Sequence, residues 1–231
     1  MKFILNENQH DRDVELAKLL NLPLEKIQKL PMCTPDSIRI SNGDKPENLE
    51  DLYHDYEHLN FPAYLRTLMM TSATRRHPAL FELLRETKNK ICLDFGSGVG
   101  THAIALHENS NIVHLLDVPG KLFDFAKKRL TNIGCEFFIW FNNNMALPED
   151  YYDVVICSDC LEHVQSPIKE LKRIHKSMKV GGILHLLVST MRKPSSGHFD
   201  SSIDEWIKYG KKFMIDNFYE IKPTIYQKKE K

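Results

Sequence analysis

Asp94, Gly96, Ser97, Gly98 and Gly100 stand in the run Leu93-Asp94-Phe95-Gly96-Ser97-Gly98-Val99-Gly100-Thr101, between a short apolar stretch and a helical one. Glycines at alternate positions let the backbone turn tightly, and they let a ligand approach main-chain N–H groups and a helix N-terminus. A dinucleotide fingerprint needs Gly-x-Gly-x-x-Gly, with its third glycine at 101, where this chain has Thr, so NAD and FAD are disfavoured. Asp117 ends the next apolar stretch. An acid at the end of a neighbouring parallel strand can accept both hydroxyls of a ribose with its two oxygens. The same residue also fits a turn, because Asp117-Val118-Pro119-Gly120 has the form of a helix start with proline at its first position. Its conjunction with the glycine loop favours the ligand.

The elements that must position these residues follow from periodicity. Short apolar runs at 91–95, 112–117, 136–140, 153–157 and 183–188 read as strands, separated by helical stretches at about 100–108, 120–132 and 166–178. This alternation predicts βαβ units, hence an α/β fold with a doubly wound, seven-stranded, mostly parallel sheet. A helix near 203–209 follows, and residues 213–226 supply a final strand pair. Before residue 90 the apolar residues recur at helical spacing, as in Leu16, Leu19 and Leu20, then Leu24, Ile27 and Leu30, then Tyr64, Leu65 and Leu68. Pro31, Pro35 and the cluster 41–46 interrupt them, which predicts a helical N-terminal extension over 1–85 and a ligand-binding domain over 86–231.

Residues 91–190 resemble the core of a class I S-adenosylmethionine-dependent methyltransferase. The motifs that carry this are Asp94-x-Gly96-x-Gly98-x-Gly100, Asp117, Asn143-Asn144-Met145-Ala146-Leu147-Pro148, the strand exit Ser158-Asp159-Cys160-Leu161-Glu162-His163-Val164, and Met178-Lys179-Val180-Gly181-Gly182 before the fifth strand. The group nearest in character contains the ubiquinone-biosynthesis and many small-molecule methyltransferases. The resemblance implies S-adenosylmethionine as cofactor, with Gly96, Ser97, Gly98 and Gly100 shaping the pocket for its methionine half. It also implies that Asp117 holds the ribose, Val118 packs on adenine, and Ser158 lies where the methyl group meets the acceptor. Asn143 and Asn144 fall where that family usually has an acid and a small residue at the adenine edge, so an acidic contact is lost there. The N-terminal extension corresponds to a lid. Its aromatic and histidine-rich stretch, Tyr53, His54, Tyr56, His58, Phe61 and Tyr64, then bears on acceptor choice, or docks an amphipathic helix on the sheet. Arg75 and Arg76 read as solvated.

A sulfonium methyl is already activated, so a general base helps only when the acceptor must lose a proton. His163, Asp159 and His198 are the candidates by position, each with a plain structural alternative as a backbone partner, a helix cap or a loop residue. Asp159-x-x-Glu162-His163 with a later His198 is also similar to the metal-binding arrangement of small-RNA 3′-end methyltransferases, helical spacing placing 159, 162 and 163 on one face. Three features oppose that alternative, and no metal is expected: Leu-Glu-His-Val is widespread without metal, the first acid is Asp here rather than Glu, and the chain has no basic RNA surface. A non-catalytic, cofactor-binding relative is a further alternative. Methylation of nucleic-acid bases is disfavoured, since the fourth strand exits without an Asn/Asp-Pro-Pro-aromatic motif.

Composition bounds the rest. The 231 residues carry 31 basic and 31 acidic side chains, and a net charge of zero disfavours a dedicated nucleic-acid binder, which leaves a small-molecule acceptor as the expected partner. No apolar run reaches the ~18 residues of a membrane span. The five cysteines are irregularly spaced, so Cys157-x-x-Cys160 reads as packing residues and the expected location is cytoplasmic.

Overall fold

The computed structural model describes residues 4–31, 61–72, 77–135, 140–141, 145–191 and 198–230. Its strands are β1 (Ile91–Phe95), β2 (Ile112–Leu116), β3 (Trp140–Phe141), β4 (Tyr152–Ser158), β5 (Met178–Leu187), β6 (Phe218–Lys222) and β7 (Ile225–Lys228). They lie side by side in the order β3-β2-β1-β4-β5-β7-β6. Neighbours among β1 to β5 pair in parallel, and β7 runs antiparallel to both β5 and β6. The order steps outward from β1 to β3 and then returns to β4 on the other side of β1. That reversal opens a crevice at the C-terminal ends of β1 and β4, the usual ligand position in an open α/β sheet.

Helices cover both faces. Strand β1 is a continuous apolar run because neither face meets water, and Cys92, Leu93 and Phe95 are buried accordingly. On one side, α7 (Pro167–Ser177) and α9 (Lys211–Asn217), which follows α8 (Asp200–Glu205), pack Leu171, Ile174 and Met214 against Leu93, Val155 and Leu184. On the other, α4 (Pro78–Glu86) and α5 (Thr101–His107) bring Leu80, Leu84, Ala103 and Leu106 onto Cys92, Val113 and Ile156.

A third core joins the N-terminal helices to the crevice. These are α1 (Gln9–Leu20), α2 (Leu24–Gln28) and α3 (Phe61–Thr71), with α6 (Lys121–Asn132) opposite them. Helix α1 begins with a reciprocal capping box between Asn8 and Asp11 and ends at Asn21 in the left-handed conformation. Leu16, Leu19, Ile27, Leu65 and Met69 meet Val99, Leu122 and Phe125. Two of the buried arginines, Arg66 and Arg129, tie this core together through carboxylates of α1. Arg66 grips both carboxylate oxygens of Asp13, at 2.7 and 3.0 Å, and donates to the Leu30 carbonyl. Arg129, 1% exposed, grips both oxygens of Glu15 at 2.9 Å and donates to the Val99 carbonyl and the Thr101 hydroxyl.

Two details differ from the sequence reading. Strand β5 begins at Met178, so 178–182 belongs to it; Tyr152 pairs with Met178 across a bulge. At Gly182 a Cβ would come within 2.8 Å of the Lys179 carbonyl oxygen, which explains the glycine there. Residues 213–217 belong to α9 instead of entering the terminal strand pair, because Gly210 and Met214 are buried at helical spacing. The third strand is described at 140–141, and residues 136–139 of the expected run lie outside the described residues.

Replacing Arg129 by alanine leaves the Glu15 carboxylate and the Val99 carbonyl without their partner. We expect a loss of about 3 kcal/mol, the scale for breaking a buried ion pair. The urea midpoint should fall with unchanged slope, and the exposed Lys212 provides a control whose replacement leaves the midpoint in place.

Candidate active site at the ends of β1, β2 and β4

The glycine loop is held to the sheet by its own backbone. Gly96 and Ser97 donate their N–H groups to the Leu116 carbonyl, at 2.8 and 3.2 Å, and Gly100 donates to Ser97 at 2.8 Å. Gly96, Gly98 and Gly100 all have positive φ, at 75°, 52° and 74°. Two of them are also sites of close approach. A Cβ on Gly96 would lie 2.4 Å from the Cys160 sulfur, and one on Gly100 would press on Leu130 and Ala126 of α6. Gly98 faces open space, with nothing within 4 Å of where a Cβ would be.

Asp94 and Asp117 organise the loop from either end. Asp94, buried at the end of β1, accepts the Ala103 N–H at 3.1 Å and so caps the first turn of α5. Asp117, just past β2, accepts the Gly98 N–H at 2.6 Å on one oxygen and the Val118 N–H at 2.7 Å on the other. Burial pushes its carboxyl up to about 6; the two N–H groups pull the other way, and nearby Asp94 adds to the rise. Ser97 contributes a buried hydroxyl that has no hydrogen-bond partner of normal geometry, although it lies close enough to favour the ionised form of Asp117. Val118 is half-buried beside them.

Strand β4 delivers the other wall. Ser158 ends it half-buried, its hydroxyl 3.5 Å from a carboxylate oxygen of Asp159. Asp159 is exposed, with a left-handed backbone (φ 50°) and its N–H bonded to Leu187. Leu161–His163 then form one 3-10 turn. Glu162 is 1% exposed; burial raises its carboxyl to about 7, although one oxygen accepts the Ser189 N–H at 2.9 Å. His163 and His198 meet edge to face with ring centroids 4.8 Å apart, and Nδ1 of His198 lies 2.8 Å from the Met191 carbonyl oxygen.

Glu162, His163 and His198 come together, their ligand atoms within 4.8 Å of one another, while Asp159 is outside the group. The expectation that 159, 162 and 163 share one helical face is therefore corrected: the left-handed residue at 159 precedes the turn instead of continuing it. Asn143 and Asn144 lie outside the described residues, as do Tyr53, His54, Tyr56, His58, Arg75 and Arg76. Phe61 and Tyr64 pack in the third core. Cys157 and Cys160 carry free thiols, and that of Cys160 is pushed up by its hydrogen bond with Cys157 and by burial.

Two contributors escaped the sequence reading. Arg129 reaches the loop through Val99, and the clue was an arginine four residues after Phe125 on the apolar face of α6. Cys160 fills the space above Gly96, for which the sequence offered no signal.

No helix among the described residues is long and apolar enough to cross a membrane. A family described as a methyltransferase domain matches residues 63–220. Among solved structures, an S-adenosylmethionine dependent methyltransferase from Mesorhizobium loti is 24% identical, the match covering 46% of this chain and 49% of that one at a TM-score of 0.40. The YcgJ protein from Bacillus subtilis is 19% identical, with 46% and 47% covered and a TM-score of 0.42. A SAM dependent methyltransferase from Aquifex aeolicus is 14% identical, with 64% and 85% covered and a TM-score of 0.46. The match spans about half the length of the Mesorhizobium and Bacillus proteins. With the family match running from α3 through the glycine loop into β6, the chain belongs to the class I S-adenosylmethionine-dependent methyltransferase family.

Proposed function

We propose that the chain binds S-adenosylmethionine over β1 and β2 and directs its methyl group to an O, N or C atom of a small-molecule acceptor beyond β4. Residues 86–231 form the cofactor-binding domain in this reading, and the helices within 1–85 act as its lid. The observation that carries it is the pairing of Gly98 with Asp117: an open, left-handed glycine whose N–H is fixed by a buried acid at the end of the adjacent strand.

The described residues fit the group. Asp117 spends one lone pair on each N–H and keeps others, which suit two ribose hydroxyls. The open space at Gly98 and the unsatisfied Ser97 hydroxyl suit the polar amino-acid end, with Gly96 and Gly100 shaping the turn. Asp94 holds the helix start against the loop, and Val118 offers an apolar edge for adenine. Asn143 and Asn144 would complete the adenine side.

The cofactor supplies a methyl group on a sulfonium that needs no further activation. What remains for the chain is alignment and exclusion of water, and Ser158 borders the space where an acceptor would be aligned. His163 and His198 are the better candidates to take a proton from a hydroxyl acceptor; exposed Asp159 is less well placed. A neutral net charge supports a small acceptor over a polyanion, and free thiols at Cys92, Cys135, Cys157 and Cys160 suit a reducing, cytoplasmic setting.

Calorimetry on the full chain should show one site for S-adenosylmethionine and for S-adenosylhomocysteine, and absence of both overturns the reading. Asp117→Ala removes two charge-assisted hydrogen bonds, and we expect about 3 kcal/mol, or roughly a hundredfold, in affinity.

A second expectation concerns pH. Ribose hydroxyls need the ionised carboxylate, so affinity should hold level above about pH 7 and fall as Asp117 protonates through about 6. The stability term has the opposite sign. With its folded value raised above the ordinary 3.8, this group makes the ligand-free fold more stable as pH falls from about 6 towards 4. Asp117→Asn should flatten both trends, as read by calorimetry and by denaturation across that range.

A further inference from the structure

We infer that Glu162, His163 and His198 form a binding site for one divalent first-row transition ion at the exit of β4. One carboxylate and two imidazoles place their ligand atoms within 4.8 Å of one another. Around an ion with bonds of about 2.1 Å, ligands stand roughly 3 Å apart, so small side-chain rotations close this set on a metal. Two nitrogens and one oxygen suit zinc, cobalt, nickel, iron or manganese better than calcium or magnesium, which prefer oxygen ligands.

Independent features point the same way. Glu162 is 1% exposed, and while its Oε1 accepts the Ser189 N–H, its Oε2 is buried without any hydrogen-bond partner. An acceptor stranded in this way is costly, and a cation would satisfy it. Nδ1 of His198 faces the Met191 carbonyl oxygen at 2.8 Å. A carbonyl only accepts, so Nδ1 carries the proton and Nε2 keeps its lone pair, the supporting bond typical of a metal-bound histidine. The scaffold is also pinned. The Phe199 N–H donates to the Glu162 carbonyl at 3.0 Å, and the Ser202 hydroxyl donates to the Val164 carbonyl, which fixes the loop bearing His198 against the turn bearing the other two.

Three protein ligands leave coordination positions open, and Asp159 does not fill one. With both imidazoles committed to it, such an ion replaces direct proton removal by His163 or His198: it takes an oxygen or nitrogen of the acceptor and lowers its pKa beside Ser158. That use rests on the methyl-transfer reading; the binding of the ion does not.

The test uses the full chain, stripped with a chelator and titrated with Co²⁺ while visible absorption is followed. One equivalent should bind with d–d bands of a nitrogen and oxygen site, and Zn²⁺ should displace it. His163→Ala and His198→Ala should each weaken binding by roughly a hundredfold or more, with far-UV circular dichroism unchanged, and Asp159→Asn should keep the ion. Failure of the wild type to take up one equivalent, or undiminished binding by both histidine variants, overturns the site. Loss of binding in Asp159→Asn overturns the three-ligand composition. Calorimetry with S-adenosylmethionine on the same samples separates the two claims: cofactor binding without the ion sinks the site alone, and ion uptake without cofactor binding sinks the methyl-transfer reading alone.

Discussion

The buried guanidinium of Arg129 holds the molecule's two halves in one arrangement. It reads Glu15 on α1 in one direction and the carbonyl of Val99, inside the glycine loop, in the other. A charge taken out of water at this depth is tolerated only with its donors satisfied, so loop and helix are each constrained to the positions that satisfy them. The loop in turn hangs from Leu116 by two N–H bonds and from Asp117 by a third. The geometry of the glycine loop is thereby set by contacts from β2 and, through Arg129 of α6, from α1.

The crevice has two acidic centres of different character. Asp117 accepts two main-chain N–H groups, which temper the cost of its burial, and it sits where the strand ends converge. Glu162 has one such bond and one stranded oxygen. The first resembles a finished acceptor for hydroxyls, the second a carboxylate waiting for a positive partner. Both lie at the switch point of the sheet, where loops from non-adjacent strands face a common space.

How much of this was legible in the sequence follows from how local each feature is. Strand β1 stood out because burial on both faces makes an uninterrupted apolar run, and the glycine loop because its unusual backbone needs its own residue type. Asp117 was found by its place at a strand end. By contrast, residues 213–217 are not legible as helix, since Phe213-Met214-Ile215 satisfies either period and only the burial of Gly210 and Met214 decides for a helix. The meeting of Glu162 with His198 depends on how a loop returns across the sheet, which no local pattern encodes. The mutual fit of Gly96 and Cys160 is of the same kind.

The family match opens at residue 63, inside α3, whereas the carboxylates that neutralise Arg66 and Arg129 are Asp13 and Glu15 on α1. A chain cut back to the matched segment would keep both guanidinium groups and discard their counter-ions, together with the helices that share their core. The boundary drawn by shared ancestry is thus narrower than the boundary drawn by electrostatics. Any minimal version of this protein intended for crystallisation or grafting has to begin ahead of α1, however little that helix contributes to family recognition.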